Sequence, residues 1–273
     1  MSSELPLGKP TEYPTEYAPS VLVAIPRAQG RQGLGLSGEL PFTGVDIWNA
    51  YEVSWLEASG RPAVATAELR VPASSPNLVE SKSLKLYLNS LNGTVYGSLA
   101  EVEALIRRDL AATVGCDVEL SLSQDPAACP PGSGAPSGTC IDAADVQIDS
   151  YQVSPALLTG CADDQQVVEE TLYSHLLKSN CPVTSQPDWA TLIIRYKGGK
   201  IDHGALLRYV VSYRDHDEFH EQCVERVFLD LQQHCHPQAL TVVARYTRRG
   251  GLDINPWRSN CEERSDNVRL WRQ

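Results

Sequence analysis

Apolar and polar residues alternate with period two in several stretches. That pattern puts successive side chains on opposite faces of a strand. Asp46–Pro72, DIWNAYEVSWLEASGRPAVATAELRVP, predicts two strands about a turn at Ser59-Gly60. In VESKSLKLYLNS the same spacing predicts a strand over Leu84–Ser90, with Leu84, Leu86 and Leu88 on one face and Lys85 and Tyr87 on the other. Glu80, Ser81 and Lys82 crowd its mouth. The period then changes. Leu99, Val102, Leu105, Ile106 and Leu110 form a helical stripe that opens on a capping box, Ser98 with Glu101, and stops at Gly115. Cys116–Ser123 and Asp145–Val153 alternate again as strands, separated by the proline-, glycine- and serine-rich excursion Gln124–Cys140.

The second half repeats this plan. Strands are predicted around Gly198-Gly199, a helix through DEFHEQCVERVFLDLQQH with Phe219, Cys223, Val224, Val227, Phe228 and Leu231 on one stripe, and a further strand in ALTVVARYTRRGG. VVEETLYSHLL fits a helix and a strand equally. At an offset of 122 residues Tyr87 matches Tyr209, Ser90 matches Ser212, Val102 matches Val224, Leu105 matches Val227 and Ile106 matches Phe228. The implied architecture is α+β: two tandem modules, each an antiparallel sheet with helices on one face. Residues 1–20 read as a polar, proline-bearing arm, 21–160 as the first module and 161–273 as the second, with the boundary between about Pro155 and Val183.

Composition narrows the function. The 273 residues are 42% apolar and 21% charged, enough for proper cores. A net charge of −11 argues against bulk binding of nucleic acid or an anionic membrane, so any anionic ligand needs a local basic cluster. The first residues lack a basic stretch leading into an apolar run, and no stretch approaches 18 apolar residues; a cytoplasmic protein without a membrane span is expected. The eight cysteines, none in a C-x-x-C pair, then read as reduced thiols.

Four stretches are candidates for chemistry. GLGLSG (Gly33–Gly38) matches a dinucleotide fingerprint in form, but Pro41 and Gly44 break the helix that the fingerprint requires, leaving a surface loop. In SNCPVTSQPDWATL, Cys181 sits in a polar turn before a proline, and Asp188 lies between Pro187 and Trp189. A thiolate there is a nucleophile, and an aspartate desolvated by the tryptophan is a proton donor. A turn cysteine and a capping aspartate explain the same residues without chemistry. In HDEFHEQC, His220 and Glu221 open the second helix. His216 and His220 are spaced as in zinc helices, yet no third ligand is evident there or around His234-Cys235-His236, so no metal is expected. In YTRRGGLDINPWRSN, arginines beside flexible backbone suit a phosphate, as they also suit an exposed turn.

Taken together, ESKSLKLYLNS, SNCPVTSQPDWA, FHEQCVER and RYTRRGGLDINPWRSN, with DIWNAYEVSWL before them, resemble in sequence and order the blocks of the NADPH-dependent 7-cyano-7-deazaguanine reductases, the nitrile reductases of queuosine biosynthesis for tRNA modification. The resemblance covers nearly the whole chain. It implies two tandem tunnelling-fold (T-fold) ββααββ modules and a site formed where modules or subunits meet, most simply in a homodimer. Cys181 would add to the nitrile carbon to give a covalent thioimide, and Asp188 would protonate the nitrogen. Glu80 and Glu221 would hydrogen-bond the deazaguanine edge, with Ser81, Lys82 and His220 beside them. Lys82, Ser83 and Lys85 would hold NADPH phosphates from one side, Arg249 and Gly250 from the other. Two NADPH would be used per product, with no metal. The alternatives are a T-fold purine or pterin cyclohydrolase-like enzyme and a non-catalytic purine-binding module. The first would need a metal ligand set, and the second has no use for Cys181 with Asp188.

Overall fold

The computed structural model describes residues 13–125, 134 and 136–273. Most of the Gln124–Cys140 excursion, with Cys129, and the first twelve residues of the expected arm lie outside the described residues. The elements in chain order are β1 (Ala24–Pro26), α1 (Arg27–Gly33), β2 (Thr43–Leu56), β3 (Pro62–Pro72), β4 (Asn77–Val79), α2 (Ser81–Ser90), α3 (Leu99–Val114), β5 (Glu119–Ser123), β6 (Thr139–Cys140), β7 (Ala162–Asn180), β8 (Pro187–Ile201), α4 (His203–Ser212), α5 (His220–Cys235), β9 (Ala239–Tyr246) and β10 (Leu252–Ser259). The chain divides into two compact units. The first draws on Met1–Gly38, Asp46–Pro131 and Arg248–Asp253, the second on Glu39–Val45, Gly132–Thr247 and Ile254–Gln273.

In the first unit, β5, β3 and β2 are neighbours in that order, with Thr66–Arg70 antiparallel to Glu119–Ser123. β2 and β3 are the two strands expected about Ser59-Gly60, and Gly60 takes the left-handed φ of +80° that its turn needs. The α3 start is close to the expected box: Ser98 accepts from the Glu101 amide, while the Glu101 carboxylate accepts from Gly97, one residue outside the usual partner. Gly115 closes the helix with φ +80°. The arm is tied down at Tyr17, whose hydroxyl donates to Asp109 at 2.7 Å.

The strand expected over Leu84–Ser90 is instead helix α2. The leucine alternation is real, but Leu84, Tyr87, Leu88 and Leu91 also recur at helical spacing, and all four are buried. The deciding group is Glu80. Its two carboxylate oxygens accept from the amides of Lys82 and Ser83, each at 2.8 Å, which satisfies donors that a helix start leaves open.

In the second unit the order is β10, β9, β8, β7, β6. The ambiguous VVEETLYSHLL is part of β7, antiparallel to β8 over most of its length. Two further expectations fail here. Gly198-Gly199 does not turn the chain: β8 runs through it to Ile201. The glycines serve close approach, since a Cβ on Gly198 would lie 3.0 Å from Pro237 Cα and one on Gly199 3.1 Å from the Asp163 carbonyl, beside a register shift in β7. The following run is helix α4, capped by Asp202, which accepts from the Ala205 amide at 2.6 Å. Asp145–Val153 forms no strand.

The internal repeat reaches down to side-chain bonds. Glu80 and Asp202, at the same offset, cap α2 and α4. Tyr87 donates to Asp109 as Tyr209 donates to Asp230, and Ser90 and Ser212 each donate to the tyrosine carbonyl three residues back at 2.6 Å. The second unit realises the full order ββααββ, with two consecutive helices per module where the hydrophobic pattern showed one. Its core sets Leu192, Ile194 and Tyr196 of β8 and Leu240, Val242 and Ala244 of β9 against Val224, Val227, Phe228 and Leu231 of α5, all buried. Burying each large aliphatic side chain stabilises the fold by about 1.5–3 kcal/mol. Among the described residues no helix is long and apolar enough to cross a membrane.

Candidate active site

The sequence candidates fall into two groups, one in each unit. In the first unit, α2 presents its N-terminal turn. Glu80 is 1% exposed, and its amide donates to the Val23 carbonyl. Burial pushes its carboxyl above the usual range, opposed by the Lys82 and Ser83 amides and by the charges of Lys82 and Arg249. A carboxylate has about four lone-pair sites, so two amide contacts leave capacity for a ligand. Ser81 and Lys82 are half-buried beside it. Ser83 is different: its hydroxyl donates to the Glu80 carbonyl at 2.7 Å and accepts from the Val23 amide at 3.0 Å, inside the protein. Lys85 pairs with Glu52, and burial lowers its pKa.

The turn between β9 and β10 belongs to the same unit through Arg248–Asp253. Arg249 and Leu252 exchange backbone bonds of 2.8 and 3.1 Å across it. Gly250 and Gly251 have φ of +61° and +78°. A Cβ on Gly251 would lie 2.5 Å from Glu52 Cδ, whereas one on Gly250 would meet nothing within 4 Å. Gly250 thus leaves backbone open at the tip. Arg248 stacks over Tyr51 at 4.7 Å.

A stability consequence follows for α2. Glu80→Ala should lower stability by about 1 kcal/mol through loss of the cap, while Glu80→Gln, which keeps one acceptor, should lose less. Thermal melts of the two variants check the order.

In the second unit the β7–β8 hairpin presents the other group. Ser179 pairs with Asp188 and Asn180 with Pro187. The intervening loop is closed by Cys181, whose amide donates to the Gln186 carbonyl and whose carbonyl accepts from Ser185, both at 2.9 Å. Ser185 takes a left-handed φ of +53° to complete it. Cys181 is 3% exposed and Asp188 6%. Asn180 is gripped from the side, donating to the His216 carbonyl and accepting from the Glu218 amide. That grip brings the chain into α5.

His220, at the start of α5, places Nε2 3.7 Å from Asp188 Oδ1. Its ring stands edge-on to Tyr246 at 4.0 Å. Tyr246 lies beside Asp188 on the strand ladder, through the pairing Ala190↔Tyr246. Burial, with Cys223 and Asp188 nearby, pushes its hydroxyl well above the usual value. Glu221 is buried in the first turn of α5, where the helix N-terminus favours a negative charge.

Trp189 is not the group that desolvates Asp188. Neighbouring strand residues face opposite ways, and the Trp189 ring instead carries Arg214 and Arg272 at 5.4 and 5.8 Å. Asp188 is buried on the helix-covered face, against His220. The His216–His220 spacing dissolves in the same way, because His216 bonds Glu218 at 2.9 Å. Burial disfavours the Glu218 carboxylate, but His216 and a bidentate Arg226 outweigh it and hold its pKa below the usual range. Among the described residues no group of three or more His, Cys, Asp or Glu side chains is placed to hold a metal.

Sequence reading missed Tyr246, the Glu218–Arg226 pair and Glu52. Tyr246 opens the quoted stretch two residues before Arg248, but carried no signal of its own. Glu218 and Arg226 are eight residues apart and meet only once α5 has formed.

Two family models match the chain. One described as nitrile reductase, 7-cyano-7-deazaguanine-reductase N-term, matches residues 13–122, and one described as QueF-like protein matches residues 187–265. A protein of Dechloromonas aromatica (strain RCB) named NADPH-dependent 7-cyano-7-deazaguanine reductase is 54% identical over 270 residues, covering 98% of this chain and 95% of its own length. A protein of the same name from Bordetella avium (strain 197N) is 54% identical over 259 residues, with 95% and 94% covered.

Proposed function

This chain belongs to the family of NADPH-dependent 7-cyano-7-deazaguanine reductases, and from that premise we propose that it makes the primary amine 7-aminomethyl-7-deazaguanine through a covalent thioimide on Cys181. The supporting observation is the hairpin of the second unit: a buried thiol in a loop closed by its own backbone, and a buried aspartate facing a histidine 3.7 Å away. The thiolate adds to the nitrile carbon, and the triple bond becomes a C=N whose nitrogen takes a proton from Asp188. His220 stands where it can position Asp188 or return its proton. NADPH, when bound, supplies hydride, and the four electrons between a nitrile and a primary amine require two equivalents. Cys181 leaves as the thiol between them, and its burial keeps water from the imine.

Recognition of the base falls to Glu80 and Glu221, whose carboxylates suit an N–H and amino pair as a two-point contact. Ser81 and Lys82 stand beside Glu80, and His220 beside Glu221. The residues present fit the phosphates of NADPH: Lys82 and Arg249 both act on Glu80 with their positive charge, Lys85 follows on the same helix, and Gly250 exposes backbone at the turn. A phosphate would compete with Glu52 for Lys85. Ser83 contributes by fixing the helix start, since its hydroxyl is already committed. The active form in this reading is a cytoplasmic homodimer that binds no nucleic acid itself.

Intact-mass measurement with 7-cyano-7-deazaguanine and no NADPH tests this. A single adduct with the full mass of the nitrile, discharged as the amine on adding NADPH, supports it. Bound ligand without an adduct would sink the covalent route. Asp188→Asn should form the adduct about 10²–10⁴-fold more slowly, read from the rise of the adduct mass with time in the absence of NADPH.

A further inference from the structure

Cys161 and Cys235, which have no part in the reaction above, bring their sulfurs to 3.5 Å. Cys161 immediately precedes β7 and is half-buried; Cys235 is the last residue of α5 and is 1% exposed. We propose that these two thiols form an oxidisable pair that closes to a disulfide and clamps the start of β7 to the end of α5.

The geometry is close to what the bond needs. A disulfide has sulfurs about 2.05 Å apart, so the present separation must shorten by roughly 1.5 Å. Both residues sit at element ends, where such a shift is easiest. His236, just past Cys235, already turns the chain with a left-handed φ of +46°. The Cys161 amide donates to the Leu158 carbonyl and its carbonyl accepts from the Asp202 amide, so its backbone is held while its sulfur faces Cys235.

Access is unequal in the way a redox pair requires. Cys161 is the more accessible, half-buried partner and Cys235 the buried one that resolves it. The contact with Cys235 lowers the Cys161 thiol below the usual value, favouring the nucleophilic thiolate on the accessible side. With hydrogen peroxide as oxidant the step balances. The Cys161 thiolate breaks the O–O bond, giving a sulfenic acid and hydroxide. The Cys235 sulfur then displaces the second hydroxide and forms the S–S bond. Each sulfur gives up one electron, and the peroxide becomes two waters once the thiol protons are counted.

The bond would be separate from the reactive cysteine. Cys161 precedes and Cys181 follows the 19-residue strand β7, at opposite ends. His220 and Cys235 are likewise at opposite ends of α5. The bridge would span 74 residues of sequence, which restricts the unfolded chain and raises stability.

The test is graded hydrogen peroxide on the full chain, followed by alkylation of remaining thiols and non-reducing peptide mapping, with thermal melts alongside. The expected result is a Cys161–Cys235 linked peptide two mass units lighter than the separate thiol peptides, reversed by dithiothreitol, and melting raised by several degrees. Cys161→Ser should remove both the link and the shift. Failure to find the linked peptide at doses that oxidise other cysteines would overturn the proposal. So would a link that leaves melting unchanged. The mapping of the unsubstituted protein decides even if the variant folds poorly.

Discussion

Cys181→Ala should abolish the nitrile adduct and lower turnover by roughly 10⁴-fold or more, while binding of 7-cyano-7-deazaguanine stays within a few-fold of the unsubstituted protein. The split follows from the layout of the groups. The carboxylates assigned to the base, Glu80 and Glu221, cap or open helices, and neither depends on the sulfur. Cys181 lies in the hairpin loop, its backbone bonds independent of its side chain, so alanine can take its place without reopening the loop. Cys181→Ser sharpens the result. A hydroxyl fills nearly the same volume but is not appreciably ionised at neutral pH, so it should also form no adduct. Calorimetric binding and intact mass on the same samples separate the two effects. Loss of binding together with loss of the adduct would mean that Cys181 shapes the pocket rather than attacks the substrate.

The stretches proposed for the chemistry stood out in the sequence because they gather unusual residues into short spans. Cys181 in a polar turn and Asp188 seven residues on remain unusual under any fold. Local structure was legible where a single period dominated: the α5 stripe of Cys223, Val224, Val227, Phe228 and Leu231 is buried as its spacing required, while Phe219, expected at its head, is the half-buried residue just before the helix. It failed where two periods shared residues. Leu84 and Leu88 belong to both an alternating and a helical pattern, and only the Glu80 cap decides between them. Glutamate is not among the favoured N-caps, which hid the signal. Gly198-Gly199 misled because a glycine pair marks close approach as readily as a turn, and the Pro237 that demands it lies 39 residues away in sequence. Asp202 was the better clue, an ordinary N-cap before an apolar run, lost because that run also reads as a strand.

Arg258→Met should be among the most destabilising single changes, lowering stability by about 3–5 kcal/mol and melting by roughly 10 °C. Arg258 comes from the stretch whose arginines suggested phosphate binding, yet its side chain is 0% exposed. The guanidinium reaches Glu225 at 2.9 and 3.1 Å and the carbonyls of Val45 and Trp257 at 3.3 and 2.9 Å. Removing it takes the Arg258 side of a buried ion pair from the Glu225 carboxylate, which is 2% exposed. The double variant Arg258→Met, Glu225→Leu should recover most of the loss, because apolar replacement of a whole buried pair is often neutral or better. Recovery would show that the cost came from the broken ion pair. Continued loss would show that the bonds to Val45 and Trp257 carry the effect. The pair also bears on the chemistry. Glu225 lies one turn beyond Glu221 on α5, and Arg258 lies on β10, so the ion pair fastens the end of α5 that presents His220 to Asp188. If the double variant regains stability but turnover remains low, with a normal nitrile adduct, the ion pair sets the aim of His220. If turnover returns with stability, apolar packing alone is enough to hold that end of the helix in place.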